Sequence, residues 1–141
     1  MAGFQVRAES KFIPGSPIKA RRVVNTVRGM RAQQALEVLR LMTQAAAGPV
    51  AKTIKSAIAN AEENFGLAPE DLVISEIVAN PGPVRPWRRF GARGRFKPIR
   101  KRTSHIRVVL EELDAERAAS GSATSPPRRS LRSPRGRDEG S

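Results

Sequence analysis

The chain has 141 residues, 39% of them apolar and only 4% aromatic, with 26 Lys and Arg against 13 Asp and Glu for a net charge of +13. That length fits one ordinary domain with a modest core and room for a tail, and a charge so far from zero concerns partners more than fold, nucleic acid first among them. The absence of cysteine excludes a disulfide framework and a thiolate metal site, the single His105 excludes a His-rich metal cluster, and no run approaches the ~20 apolar residues that span a bilayer.

Phe4, Val6 and Ala8 alternate with Gln5, Arg7 and Glu9, the period-two pattern of a half-buried strand, which Pro14-Gly15 ends. This alternation, in place of a charged head and an apolar stretch, argues against a secretory signal, and the expected compartment is the cytosol. Ser16 before Pro17 reads as a helix start, Ser accepting from orphan N–H groups and Pro supplying a preset φ. Ala20, Val23, Val24 and Val27 follow at helical spacing with Ile18 close to the stripe, while Lys19, Arg21, Arg22 and Arg28 give a basic outer face. Gly29 is the expected left-handed cap.

A second helix is predicted from about residue 31 to 42, on Ala32, Ala35, Leu36 and Leu39. Gly48-Pro49 then breaks the chain, and Pro49 fits the first turn of a third helix whose stripe is Val50, Ile54, Ala57, Ile58, Ala61 and Phe65, with Gly66 as its stop. From Asp71 the pattern changes: residues 72–79 are rich in Val and Ile, and Ile106, Val108 and Leu110 alternate with Arg107 and Glu111, so two more strands are expected beside the first in one antiparallel sheet. The fold class expected is α+β.

Between those strands lies the most informative stretch. Residues 77–110 contain no acid, and residues 85–107 carry ten bases: Arg85, Arg88, Arg89, Arg93, Arg95, Lys97, Arg100, Lys101, Arg102 and Arg107. Guanidinium groups taken out of water need partners, so such a run cannot bury itself. Trp87, Phe90 and Phe96 are interleaved with the bases, and Gly91 and Gly94 permit tight backbone geometry. Arginine for phosphate and aromatics for splayed bases make an RNA-binding tip. The stretch is too long for a simple turn, and a projecting two-stranded ribbon, tolerant of Pro83 and Pro86 because it has only edges, is the expected form.

Catalytic chemistry finds little support. His105 has no Ser–Asp arrangement around it, adjacent acids such as Glu62-Glu63 do not share a helix face, and Gly91-Ala92-Arg93-Gly94-Arg95 lacks the preceding strand and following Gly-Lys-Ser or Thr of a phosphate loop. No enzyme, metal or cofactor is expected. From residue 114 the composition turns to Ala, Ser, Pro, Gly and Arg, which predicts a disordered basic tail over residues 114–141 beyond a domain of residues 1–113.

Several motifs, in order, resemble the bacterial-type family of large-subunit ribosomal protein twenty-two: Ser16-Pro17-Ile18-Lys19-Ala20-Arg21, Arg28-Gly29, Ser56-Ala57-Ile58-Ala59-Asn60-Ala61, Ala92-Arg93-Gly94-Arg95 and Lys101-Arg102-Thr103-Ser104-His105-Ile106. The resemblance implies three helices on a small antiparallel sheet with a long β-hairpin at about residues 77–110. It implies a structural constituent of the large subunit that binds 23S ribosomal RNA early in assembly. The globular part would sit near the exit-tunnel opening, and the hairpin tip would line the tunnel beside ribosomal protein four and the nascent peptide, with no membrane and no homo-oligomer. Carried over, RNA contacts fall on Ser16, Lys19, Arg21, Arg22, Arg85, Arg88, Arg89, Arg93, Arg95, Lys97, Arg100, Lys101, Arg102, Thr103, Ser104 and His105, and the tunnel tip on Trp87, Phe90, Gly91, Gly94 and Phe96. Phe90-Gly91-Ala92 stands where the family commonly has Pro-Arg-Ala, and Phe96 stands in place of a usual Ala. The alternative, on charge alone, is a ribosome-independent basic nucleic-acid-binding or accessory protein.

Overall fold

In a computed structural model, residues 4–113 are described; the tail expected from residue 114 lies outside them. Strand β1 (Gln5–Pro14) is followed by helices α1 (Pro17–Val27), α2 (Ala32–Leu41) and α3 (Ala47–Phe65), a 3-10 turn (Pro69–Asp71), strands β2 (Leu72–Pro81), β3 (Arg85–Phe90), β4 (Phe96–Lys101) and β5 (Thr103–Glu112), with a second 3-10 turn (Ala92–Gly94) between β3 and β4. The class is α+β, as expected.

The last strand sits in the middle. β1, β5 and β2 form an antiparallel sheet in the order β1-β5-β2, with Val6 opposite Leu110 on one side and Ile77 opposite Val108 on the other. Alternation places Ser104, Ile106, Val108 and Leu110 on one face of β5, all buried, and the helices cover that face. The core joins these residues to Val23, Val24 and Val27 of α1, Ala35 and Leu39 of α2, and Val50, Ile54 and Ala57 of α3. The small side chains of α3 let it approach the sheet closely. Its buried Thr53 hydroxyl is hydrogen-bonded to Ser10 of β1 at 2.8 Å and to the Pro49 carbonyl at 2.9 Å, so the one polar group α3 buries is satisfied.

β2 is an edge strand, and its outer row of backbone groups is occupied from α1 and the turn after it. Gly29 N–H donates to Ile74 O and Ile74 N–H to Met30 O, at 3.2 and 3.0 Å. Further along, Arg28 donates to Ile77 O at 2.9 Å and Arg21 Nε to Ala79 O at 3.1 Å. The spacing of these two arginines brings them to the same helix flank, two carbonyls apart on one strand edge. An exposed edge is a template for unwanted pairing, and here it is closed by this chain's own arginines.

Several local expectations change. Ser16 stands at the N-cap of α1 with Pro17 at the first helical position, but its side chain makes no cap bond. Gly29 has the expected positive φ of 79°, yet α1 ends before it with Arg28 extended, because Gly29 is drawn into pairing with β2. α3 begins at Ala47, ahead of Pro49. The N–H that proline lacks falls among the orphan donors of the first turn, so nothing is lost by the earlier start. Gly66 does stop α3, left-handed at φ 63°. Ile18 is exposed, because Pro17 and Ala20 take the inward positions of that turn. Phe65 is also exposed, at the last residue of α3, where it meets Phe4 with ring centroids 5.6 Å apart.

Candidate nucleic-acid interface

Beyond Pro81 and Thr103 the chain leaves the sheet and continues as a two-stranded ribbon. β3 and β4 pair antiparallel from Arg85 opposite Lys101 to Phe90 opposite Phe96. The junction is held by Gly82 N–H to Thr103 O at 2.8 Å and by the Thr103 hydroxyl to Pro83 O at 2.7 Å. Every residue of β3 is exposed, and in β4 only Ile99 is partly covered. At ~3.3 Å per residue the ribbon from residue 82 to its turn spans roughly 30 Å.

Register divides the ribbon into two unlike faces. Arg85, Trp87 and Arg89 share one face with Lys97, Ile99 and Lys101; Pro86, Arg88 and Phe90 share the other with Phe96, Pro98 and Arg100. On the first face the Lys101 ammonium lies 4.2 Å from the Trp87 ring centroid. On the second, Phe90 and Phe96 meet with centroids 5.2 Å apart, closing the hairpin end. The aromatics read from sequence as base-stacking groups are thus first partners of their own ribbon, although Trp87 keeps 55% of its surface exposed and Phe90 86%.

The turn uses its glycines differently. Gly91 has an ordinary φ, but a Cβ there would stand 2.8 Å from the Arg95 carbonyl that accepts its N–H; the requirement is close approach. Gly94 is left-handed at φ 69°, and so is Arg93 at φ 61°, a non-glycine residue in a sparsely populated region. The strained turn projects Arg93 and Arg95, both exposed, at the far end of the ribbon.

Residues 85–102 hold nine bases, and none of them forms an ion pair with a described residue; among the described residues the ion pair is Arg107 with Glu9, at 3.9 Å across β5 and β1. Among the described residues Lys101 alone of the nine has a side-chain partner, the Trp87 ring. Eight guanidinium or ammonium groups on a narrow ribbon have no side-chain partner among the described residues.

The other expected RNA contacts have unlike surroundings. Lys19 and Arg22 are exposed on α1. Arg21 is committed in part to Ala79 O, so it braces the fold as well as offering charge. Thr103 spends its hydroxyl on Pro83 O. Ser104 is corrected: it is 1% exposed on the helix-facing side of β5 and packs in the interior, so it cannot touch RNA. The reason is alternation, which also turns His105 to the open face. There His105 Nδ1 accepts the Phe12 N–H at 3.1 Å, and the two rings meet edge to face at 5.2 Å and 88°. Sequence patterning does not single out Phe12. Its position at a β1 irregularity between Ser10 and Ile13 breaks the alternation by which strand residues are assigned to faces.

The matching family is described as ribosomal protein L22p/L17e, and its pattern covers residues 8–111, taking in most of the sheet and the whole ribbon. The chain belongs to that family. It is 46% identical over 118 residues to the large ribosomal subunit protein uL22 of Synechococcus sp. (strain JA-2-3B'a(2-13)), a match covering 84% of this chain and 95% of the relative. As an L22p/L17e protein it is a structural, non-enzymatic component of the large ribosomal subunit, and its compartment is the cytoplasm, where the ribosome resides. The family pattern spans the α1 arginines at the β2 edge and the strained turn at residues 91–95 alike.

Proposed function

We propose that this protein ties together segments of large-subunit ribosomal RNA by laying its basic ribbon between them while the helix-covered sheet anchors on the subunit exterior. The observation that carries this reading is the ribbon's charge: nine bases, no acid and no internal ion pair over residues 85–102. Such a ribbon repels itself in water and gains by displacing counterions from phosphate. A two-stranded ribbon on its own is also marginally stable, so RNA binding would fix its course.

The finer placement follows the family resemblance. The RNA is 23S ribosomal RNA, engaged in several domains early in assembly, and Lys19 and Arg22 add a contact from the globular face. The turn at residues 91–95, with Trp87, Phe90 and Phe96 behind it, lines the peptide exit tunnel beside ribosomal protein four and meets the nascent peptide. The tail from about Ser120 onward is dispensable for incorporation.

Sedimentation of the endogenous protein tests the reading. Stoichiometric presence in large subunits that survives a high-salt wash is expected. A free pool, or association with DNA, would instead favour a ribosome-independent nucleic-acid-binding protein.

A further inference from the structure

At the root of the ribbon, away from its charged length, an aromatic side chain is held in water at some conformational cost. Phe12 is left-handed, at φ 58°, which a bulky non-glycine residue adopts only when its surroundings impose it. Yet the surroundings do not bury it: 63% of Phe12 is exposed. What holds it is His105, through the Phe12 N–H to Nδ1 and the edge-to-face ring contact. Strain retained to expose an apolar ring points to use of that ring.

The neighbours define what it would accept. With Nδ1 accepting from the backbone, the neutral imidazole carries its proton on Nε2, and among the described residues nothing takes a hydrogen bond from that nitrogen. Gly82 faces the same ring; a Cβ there would come within 3.2 Å of His105 Cε1, so glycine leaves the approach open. Lys11 precedes Phe12 and is exposed. The nearest acid in the chain before Phe12, Glu9, is paired with Arg107. An exposed ring, one unused N–H donor and an adjacent cation match an unstacked nucleotide: base on the ring, a base or sugar acceptor on the N–H, phosphate on the cation. A protein partner would call for a wider apolar surface than this single ring.

We propose that Phe12 and His105 together form a docking site for one unpaired base of the ribosomal RNA, at the junction of sheet and ribbon. The site rests on the RNA-binding reading above and adds to it a contact that depends on stacking instead of charge.

The test measures binding of the full chain to a 23S ribosomal RNA transcript over a salt series, together with thermal unfolding of each variant. Phe12→Gly removes the ring and relieves the positive φ, so its melting temperature is expected to hold or rise while affinity falls on the order of ten-fold, with the salt slope unchanged because every cation keeps its phosphate. Phe12→Leu, which keeps apolar bulk without a π face, is expected to fall similarly, and Phe12→Tyr to bind like the parent chain. Unchanged affinity in Phe12→Gly or Phe12→Leu, while the parent chain binds, would overturn this site and leave the ribbon's role standing. A lower melting temperature with unchanged affinity would show Phe12 to be a packing residue and would also overturn it. If the parent chain itself fails to bind, the ribbon's role falls, and the base site with it.

Discussion

Lys101 and Trp87 meet diagonally across the ribbon, the ammonium 4.2 Å from the indole centroid, although their Cα partners are Arg85 and Ile99. A cation over an exposed indole contributes about 0.5–1 kcal/mol, which matters in a ribbon with no core beneath it. Trp87 is the chain's single tryptophan, so its emission reports on this contact alone. Lys101→Ala is expected to shift Trp87 emission to longer wavelength in the free protein, read by steady-state fluorescence. An unchanged spectrum would show that the contact is not populated in solution.

The salt dependence of RNA binding reports how many phosphates the protein neutralises. Changing Lys101 and Arg102 together to Ala is expected to weaken binding and flatten the plot of log affinity against log salt by about 0.7 to 0.9 for each phosphate no longer neutralised. Filter binding over a salt titration reads the slope. A double variant with the parent slope would show that these two side chains do not touch phosphate.

Arg28 and Arg22 lie close together at α1 with different duties. Arg28 closes the β2 edge at Ile77 O, whereas the Arg22 side chain is exposed and makes no such bond. Arg28→Ala is expected to cost about 1 kcal/mol, a few degrees in melting temperature. Arg22→Ala should leave stability unchanged and lower RNA affinity. Calorimetry beside a binding curve separates the two effects.

Glycines at the ribbon's two ends should resist substitution for steric reasons. In Gly82→Ala the new methyl would collide with the Thr103 hydroxyl, and in Gly91→Ala it would stand 2.8 Å from the Arg95 carbonyl. Overpacking of this kind typically costs about 1–3 kcal/mol. Gly48→Ala, in the first turn of α3 with nothing near it but its chain neighbours, gains no stability because its new methyl faces the ring of Pro49, but should cost less than either. Chemical denaturation of the three variants gives the order directly.

Much of the fold was legible because its signals are local. Period-two alternation marks β1 and β5, a Val- and Ile-rich run marks β2, and helical stripes mark α1, α2 and α3, since burial on one side imposes those periods. What escaped depended on pairing between distant segments. Gly29 was expected to cap α1 and instead joins the β2 edge; nothing near Gly29 in sequence announces Ile74. Likewise the nine ribbon bases were visible as composition, but their division into an indole–lysine face and a phenylalanine–proline face follows from the register of Trp87 opposite Ile99. Ser104 was assigned by motif to RNA, and alternation from Ile106 already placed it on the buried side. Phe12 was hidden by the β1 irregularity that exposes it.

A ribbon that runs among RNA segments of the large subunit carries its turn to RNA that the globular part does not touch. The chain has no cysteine, so a single Arg93→Cys at the turn, or Leu41→Cys on α2, where the native leucine is 84% exposed, can each carry a tethered hydroxyl-radical source into assembled subunits. Cleavage of the 23S RNA mapped from the two positions is the most direct measurement. The ribbon reading predicts cuts in more than one RNA domain from position 93, at sites that position 41 does not reach. Subunits that incorporate the Arg93→Cys protein yet show no cleavage from its turn would contradict it.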